Sequence, residues 1–293
     1  MSEGYQSGFV SIVGRPNVGK STLLNTILGE KISIISPKPQ TTRNRITGIK
    51  HLPNAQIVFL DTPGIHEATT RLNRYMVETA LMTLKEVDLL LFMTESTLRP
   101  EDTLILETLG KIDRPRFGLI NKIDRVAPQD LLPTIDHLGK TELFEEIVPI
   151  SALTGDGVGI VLDLLLERLP EGPPYFPEDM VTDLPERFLA AEIVREKVFL
   201  LTGEEIPYAT AVEIDTFEEK AERIVIEATI HVEKPSQKKI VIGKGGGKIK
   251  EIGTQARLDL EALLGTKVFL RLWVRVQKNW TRNARTLRDF GYR

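Results

Sequence analysis

Gly14-Arg15-Pro16-Asn17-Val18-Gly19-Lys20-Ser21 satisfies the pattern G-x-x-x-x-G-K-[ST] at every fixed position. It follows the apolar run Phe9-Val10-Ser11-Ile12-Val13 and leads into Thr22-Leu23-Leu24-Asn25. A strand, a glycine-rich turn and a helix start, in that order, present backbone N–H groups to an anion at a helix N-terminus that favours negative charge. In such a loop Lys20 reaches the terminal phosphates of a nucleoside triphosphate, and the Ser21 hydroxyl binds Mg2+. A bare flexible turn is the bland reading, and the elements expected on either side of the loop argue against it.

Three later motifs select the nucleotide. Asp61-Thr62-Pro63-Gly64 ends the apolar run Ile57-Val58-Phe59-Leu60; an acid there supports the Mg2+ shell while the Gly64 N–H meets the γ-phosphate. Asn121-Lys122-Ile123-Asp124 follows Gly118-Leu119-Ile120. Asp124 can accept from N1–H and the exocyclic N–H2 of guanine, an edge that adenine does not present. Asn121 would tie this turn to the phosphate loop, and the Lys122 stem would pack on the base. Ser151-Ala152-Leu153 follows a further apolar run, placing the Ala152 N–H to reach guanine O6. Between the first two motifs, Pro39-Gln40-Thr41-Thr42-Arg43-Asn44 reads as a phosphate-sensing switch, with Thr42 favoured over Thr41 to complete the Mg2+ shell. The chain is expected to bind GTP and GDP with Mg2+, and Lys20, Asn17, Thr42 and Gly64 are the candidate catalytic set.

The elements that must position these motifs can be read from periodicity. Between Phe9 and about Leu169, apolar strand-like runs alternate with helical stretches, as a doubly wound, mostly parallel α/β sheet requires. Strands are expected at Val10–Val13, Gln56–Leu60, Leu89–Met93, Gly118–Ile120 and Glu146–Ile150, and helices over Thr22–Leu28, Leu72–Lys85, Thr103–Gly110 and Gly159–Arg168. Pro170-Glu171-Gly172-Pro173-Pro174-Tyr175-Phe176-Pro177 cannot continue a helix or a ladder, so residues 171–184 read as a linker between a first domain (1–170) and a second (185–293). The second reads as a helix (Glu186–Leu200), two alternating strands, two helices meeting near Gly243–Gly246 and a strand (Lys267–Val276), followed by a basic helical tail over Thr281–Arg288.

Charge separates the two parts. Residues 234–293 hold eight Lys and seven Arg against two Asp and two Glu, a net of +11, leaving −14 on residues 1–233. A basic end on an acidic body points to a nucleic acid or an anionic surface. The 293 residues contain no cysteine, which excludes disulfides and thiol chemistry. His51, His66, His137 and His231 lack metal-ligand spacing. The start shows no signal segment and no apolar run is long enough to span a bilayer, so a cytoplasmic location is expected.

Ile242-Gly243-Lys244-Gly245-Gly246-Gly247-Lys248-Ile249-Lys250 carries a second candidate site. Lys248 stands where a dinucleotide fingerprint needs glycine, and Ile242 and Ile249 break a second phosphate-loop pattern. Apolar-Gly-x-x-Gly between two helices is the loop with which a KH domain clamps about four nucleotides of single-stranded backbone. Lys244, Lys248 and Lys250 add charge. Trp280, between Lys278 and Arg282, is a candidate for base stacking with Arg282 beside it, whereas Trp273, among apolar strand neighbours, reads as core.

The motifs over residues 14–153 resemble the translation-factor-like class of GTPases. One such domain followed by a KH domain is similar to the Era family along nearly the whole chain; the related Der type carries two GTPase domains. The resemblance implies a P-loop GTPase domain followed by a smaller α+β type II KH domain. It further implies a target at the 3′ end of small-subunit ribosomal RNA, a role in assembling the small ribosomal subunit, and loose peripheral association with the inner face of the cell membrane. A monomer is expected. Ile65 stands where Ras-like enzymes place a glutamine that orients water, so intrinsic hydrolysis is expected to be slow. In related GTPases with asparagine at the place of Asn17, K+ bridges the phosphates; a K+ ligand and a turn-stabilising residue both remain open for Asn17. An RNA-binding scaffold with GTP as structural ligand and a GTP-gated membrane-surface protein are the alternatives.

Overall fold

In the computed structural model, which describes residues 4–65, 68–203 and 205–292, the run before the phosphate loop forms β1 (Gln6–Val13) and the loop opens directly into α1 (Lys20–Leu28). His66 lies outside the described residues. The chain divides into two units, Met1–Ala68 with Met76–Asp183, and Thr69–Tyr75 with Leu184–Arg293.

The first unit is built on a six-stranded sheet. After α1 come β2 (Ile46–Leu52), β3 (Ala55–Asp61), α2 (Arg71–Thr83), β4 (Leu89–Glu95), α3 (Pro100–Leu109), β5 (Arg116–Asn121), α4 (Leu132–Lys140), β6 (Glu146–Pro149) and α5 (Val158–Leu166). The strand order is β2-β3-β1-β4-β5-β6. All neighbours run parallel except β2, which pairs antiparallel with β3. β3 and the first six residues of β4 are buried throughout, as expected of central strands covered on both faces. Ala80, Leu84, Ile105 and Leu109 pack with Val13, Leu90 and Phe92 to form one core layer. The order reverses at β1, with β3 on one side and β4 on the other. That is the topological switch point at which open α/β sheets bind ligands beyond their strand ends.

Two elements depart from the sequence expectation. β2 is not among the expected strands; its pairing with β3 from Ile46–Asp61 to Leu52–Ala55 supplies the ladder. α4 begins with Leu132-Pro133 and carries few core residues, with Thr134 and Leu138 buried. The proline-rich segment does not hang free. The Tyr175 and Phe176 N–H groups donate to Gln56 Oε1, Gln56 Nε2 donates to Phe176 O, and the Ile49 N–H donates to Val181 O.

The second unit contains α6 (Glu186–Leu201), β7 (Ala211–Lys220), β8 (Arg223–Val232), α7 (Pro235–Ile242), α8 (Gly247–Leu264), β9 (Val268–Val276) and α9 (Ala284–Asp289). Its sheet order is β7-β8-β9, antiparallel then parallel. The parallel pair needs a crossover, and α7, the glycine loop and α8 provide it. Ile193, Val194 and Val198 of α6, Val241 of α7 and Ile252, Ala256 and Leu260 of α8 bury one face of this sheet against Ile226, Ala228, Ile230 and Val274.

Candidate functional site

The phosphate loop turns between β1 and α1 with positive φ at Asn17 (65°) and Gly19 (110°). It borders a cleft of about 440 Å3 in the first unit, lined by Lys20, Ser21, Thr42, Gly64, Asn121 and Asp124 among others. Lys20 is buried, and its ammonium donates to the carbonyls of Gly14 and Arg15, both at 3.0 Å. Burial pushes its pKa down to about 8, while the charge of Asp61 works to raise it and that of Arg15 to lower it. Gly64 lies against Pro16 so closely that a Cβ would fall 2.6 Å from the Pro16 nitrogen. Any larger residue would have to push the two phosphate-facing segments apart.

Oxygens of Ser21, Thr42 and Asp61, of the kind that bind Mg2+, converge beside Lys20. Ser21 Oγ donates to Asp61 Oδ2 at 2.7 Å and lies 2.9 Å from Thr42 Oγ1, and Ser33 Oγ donates to the same carboxylate oxygen at 3.0 Å. The other carboxylate oxygen, Oδ1, is buried with no hydrogen-bond partner among the described residues. Burial raises the Asp61 pKa, opposed by Lys20 and the surrounding hydroxyls. This hydroxyl–carboxylate set suits a hard cation that keeps water and phosphate among its ligands. Thr41 points elsewhere: its hydroxyl donates to Lys38 O at 2.7 Å. Thr62 Oγ1 donates to Ile12 O at 3.0 Å, bracing the start of its motif against β1. Ile65 is buried in the core layer with Val58, Leu60 and Ala80.

On the base side, Asn121 joins three segments. Its Nδ2 donates to Val18 O at 2.6 Å and its Oδ1 accepts the Ala152 N–H at 2.8 Å. The Ala152 N–H, expected at guanine O6, is thus taken up inside the protein. Ser151 Oγ donates to Asp124 Oδ1 at 2.7 Å, orienting the carboxylate. Lys122 takes a left-handed backbone (φ 68°) and its Nζ donates to Asn17 O at 2.8 Å. Leu153 is exposed and lines the cleft.

Sequence reasoning missed the group that links these halves. Glu95, at the end of β4, takes Arg15 Nη2 on Oε2 at 2.5 Å and Lys122 Nζ on Oε1. Arg15 Nε also reaches Asp102 Oδ2 at 3.1 Å, and Asp102 is fully buried at the start of α3. Arg15, expected as a nucleotide ligand, therefore spends its guanidinium inside the protein. Burial opposes the Glu95 charge, but hydrogen bonds from Lys122 and Arg15 outweigh it and hold the pKa below the usual range.

In the second unit, the loop after α7 has positive φ at Gly243 (73°), Gly245 (58°) and Gly246 (79°). At Gly243 a Cβ would meet Lys248 Cβ at 2.6 Å, so the turn closes only on glycine. Around Gly245 and Gly246 nothing approaches an added Cβ within 4 Å, leaving their backbone open to a ligand. Lys244 and Lys250 are exposed, Ile242 and Gly243 half-buried, and Lys248 Nζ donates to Glu251 Oε2 at 2.8 Å. Arg282 is exposed.

The two tryptophans exchange places relative to expectation. Trp280, expected to stack bases, is fully buried; its Nε1 donates to Ala209 O at 2.9 Å and its ring meets Phe290 and Tyr292 at 5.4 and 6.0 Å. A base cannot reach it. Trp273, expected in the core, is 51% exposed on β9.

Comparison with known proteins gives the family of each unit. Residues 9–122 match the model of the family described as 50S ribosome-binding GTPase, and residues 205–281 that of the KH domain. The chain is 56% identical to the GTPase Era of Geotalea uraniireducens (strain Rf4) over 291 residues, 98% of each chain. It is also 56% identical to that of Syntrophus aciditrophicus (strain SB), over 98% of this chain and 95% of the other. A crystal structure of Era in complex with MgGDPNP and nucleotides 1506-1542 of 16S ribosomal RNA superposes with a TM-score of 0.95, at 48% identity over 98% of this chain and 99% of that one. A single-residue variant of Aquifex aeolicus Era bound to GDP.AlF4- also gives 0.95, at 49% identity and the same coverage. With a phosphate-loop cleft in one unit, a KH domain in the other and this similarity across both, the chain belongs to the Era family of GTPases.

Proposed function

We propose that this protein is a GTP-driven switch whose KH unit binds single-stranded RNA at the 3′ end of small-subunit ribosomal RNA and acts in assembly of the small subunit. The observation that carries the reading is the open backbone at Gly245 and Gly246, flanked by Lys244 and Lys250, in a chain that also holds a complete GTP cleft. The relative crystallised with MgGDPNP and 16S ribosomal RNA supports it.

Lys20 and the N–H groups of the loop hold the phosphates, Asp124 selects guanine, and Asn121 keeps the two halves of the cleft in register. Ser21 and Thr42, backed by Asp61, would hold Mg2+, which supplies charge to neutralise the phosphates when bound. Ile65 faces the core, so attacking water is positioned by other groups and turnover is slow until a partner closes the site. The Asn17 Nδ2 donates to Pro37 O at 2.7 Å, leaving the amide oxygen as the atom this residue can offer a cation; K+ is the ion we assign to it. Equal GTPase rates in KCl and NaCl would refute that assignment.

The test of the whole reading pairs turnover with RNA retention. Lys20→Ala should abolish GTP hydrolysis and keep RNA binding, while Gly245→Asp, which sets a carboxylate where phosphate must lie, should weaken RNA binding at least ten-fold and keep nucleotide binding. A protein that binds GTP without turning it over, or RNA retention indifferent to Gly245→Asp, would contradict it.

A further inference from the structure

β9 reads Val268-Phe269-Leu270-Arg271-Leu272-Trp273-Val274-Arg275-Val276. Val268 and Val274 are buried in the core of the second unit, and Leu270, Leu272 and Val276 pack against it. The alternate residues Phe269, Arg271, Trp273 and Arg275 therefore stand on the opposite face of the sheet, away from α6, α7 and α8. Two large aromatic side chains are exposed there, Phe269 at 40% and Trp273 at 51%. Paired aromatics on an edge strand invite aggregation unless they serve a contact.

The surroundings identify the chemistry of that contact. Phe269 lies between two guanidinium groups, Arg223 Cζ 5.7 Å and Arg271 Cζ 5.5 Å from its ring centre. Arg271 also pairs with Glu227 of β8 at 2.8 Å. Arg275 is exposed at the far end, opposite His231. Acidic groups of the same sheet lie across on β7: Glu213 bonds His231, and Asp215 accepts from Thr229. A polyanion is thus drawn along β9 and repelled from β7. Alternating flat rings and arginines match a strand whose bases stack and whose phosphates are neutralised.

We infer that the outer face of β9, carried by Phe269, Arg271, Trp273 and Arg275, is a second single-stranded RNA contact, separate from the Gly243–Gly246 loop. The loop caps helices that pack on the other face of the same sheet, so a short oligonucleotide occupies one site and a longer RNA wraps the free edge of β9 to reach both. The inference rests on the RNA-binding reading above.

The test uses the full chain and two probes: an RNA of about four nucleotides, the length one KH loop clamps, and one with the sequence of nucleotides 1506-1542 of 16S ribosomal RNA. Phe269→Ala with Trp273→Ala should weaken the long RNA at least ten-fold and leave the short one unchanged, with an unaltered melting temperature. Trp273→Tyr should restore the long-RNA affinity, whereas Trp273→Leu, which keeps apolar bulk without a ring, should not. In a Trp280→Phe background Trp273 is the sole tryptophan, and its fluorescence should be quenched by the long RNA. Long-RNA affinity unchanged in the double variant, or restored equally by leucine, overturns the second contact. If Gly245→Asp also leaves both probes bound as before, the RNA-binding reading itself fails.

Discussion

Glu95 is the residue on which the nucleotide cleft turns, because each of its oxygens serves a different half. One holds Arg15 of the phosphate loop and the other Lys122 of the base-binding motif. Replacing it by glutamine keeps the shape but removes the charge that pairs two cations, and the two halves should loosen together. We expect Glu95→Gln to raise the GDP dissociation rate about ten-fold, measured by displacement of a fluorescent analogue, because the two segments that enclose the nucleotide lose the charge-assisted hydrogen bonds that tie them together. Its pH dependence has a defined sign. The folded-state pKa is depressed, so the pair stabilises the fold above the unfolded pKa near 4.5 and fades as pH falls through the lower folded value. The stability gap between wild type and Glu95→Gln should therefore shrink below about pH 4.5; a constant gap across that window would show that charge plays no part. At Asp124, substitution by asparagine presents an amide where guanine needs an acceptor. Asp124→Asn should lose GTP affinity by about 100-fold or more and gain affinity for xanthosine triphosphate, whose ring carries a carbonyl in place of the amino group. Glu95 was not legible in the sequence because its partners lie 80 and 27 residues away. Asp124 was legible because its motif is local and sits at a strand end.

Among the elements, β9 shows what alternation can and cannot decide. Every second residue is apolar, so the strand was evident, but bulky side chains stand on both faces. Its phase lay in the arginines: Arg271 and Arg275 share the parity of Trp273, so the face that holds them is the solvent face. Trp280 had the opposite problem. Its neighbours Lys278 and Arg282 suggested exposure, while the groups that enclose it are Ala209, far back in the chain, and Phe290 and Tyr292, beyond the next helix. Trp280→Ala should accordingly act as a core deletion costing about 3–5 kcal/mol, read as a fall in melting temperature; Trp280→Phe should keep most of the packing and lose the indole hydrogen bond. Loss of RNA affinity in the phenylalanine variant without loss of stability would contradict the buried role. β2 and α4 escaped for a different reason: their apolar patterns are short and interrupted, and tertiary packing decides their form.

At the scale of the whole molecule, a basic terminal segment of +11 is joined to a body of −14, and each unit carries one proposed site. The proline-rich segment is hydrogen-bonded to Ile49 and Gln56 of β2 and β3, strands that flank the switch loop at Thr42 and the Asp61 motif. These bonds tie the last residues of the first unit to strands that border the proposed switch. The central claim is that nucleotide state and RNA binding are coupled, and by linkage the coupling is reciprocal. The most direct measurement is the affinity for RNA with the sequence of nucleotides 1506-1542 of 16S ribosomal RNA, by fluorescence anisotropy, with protein loaded with Mg2+ and GDPNP and again with Mg2+ and GDP. The account predicts tighter binding in the GDPNP form by about 5-fold or more, and equal affinity in the two states would contradict it.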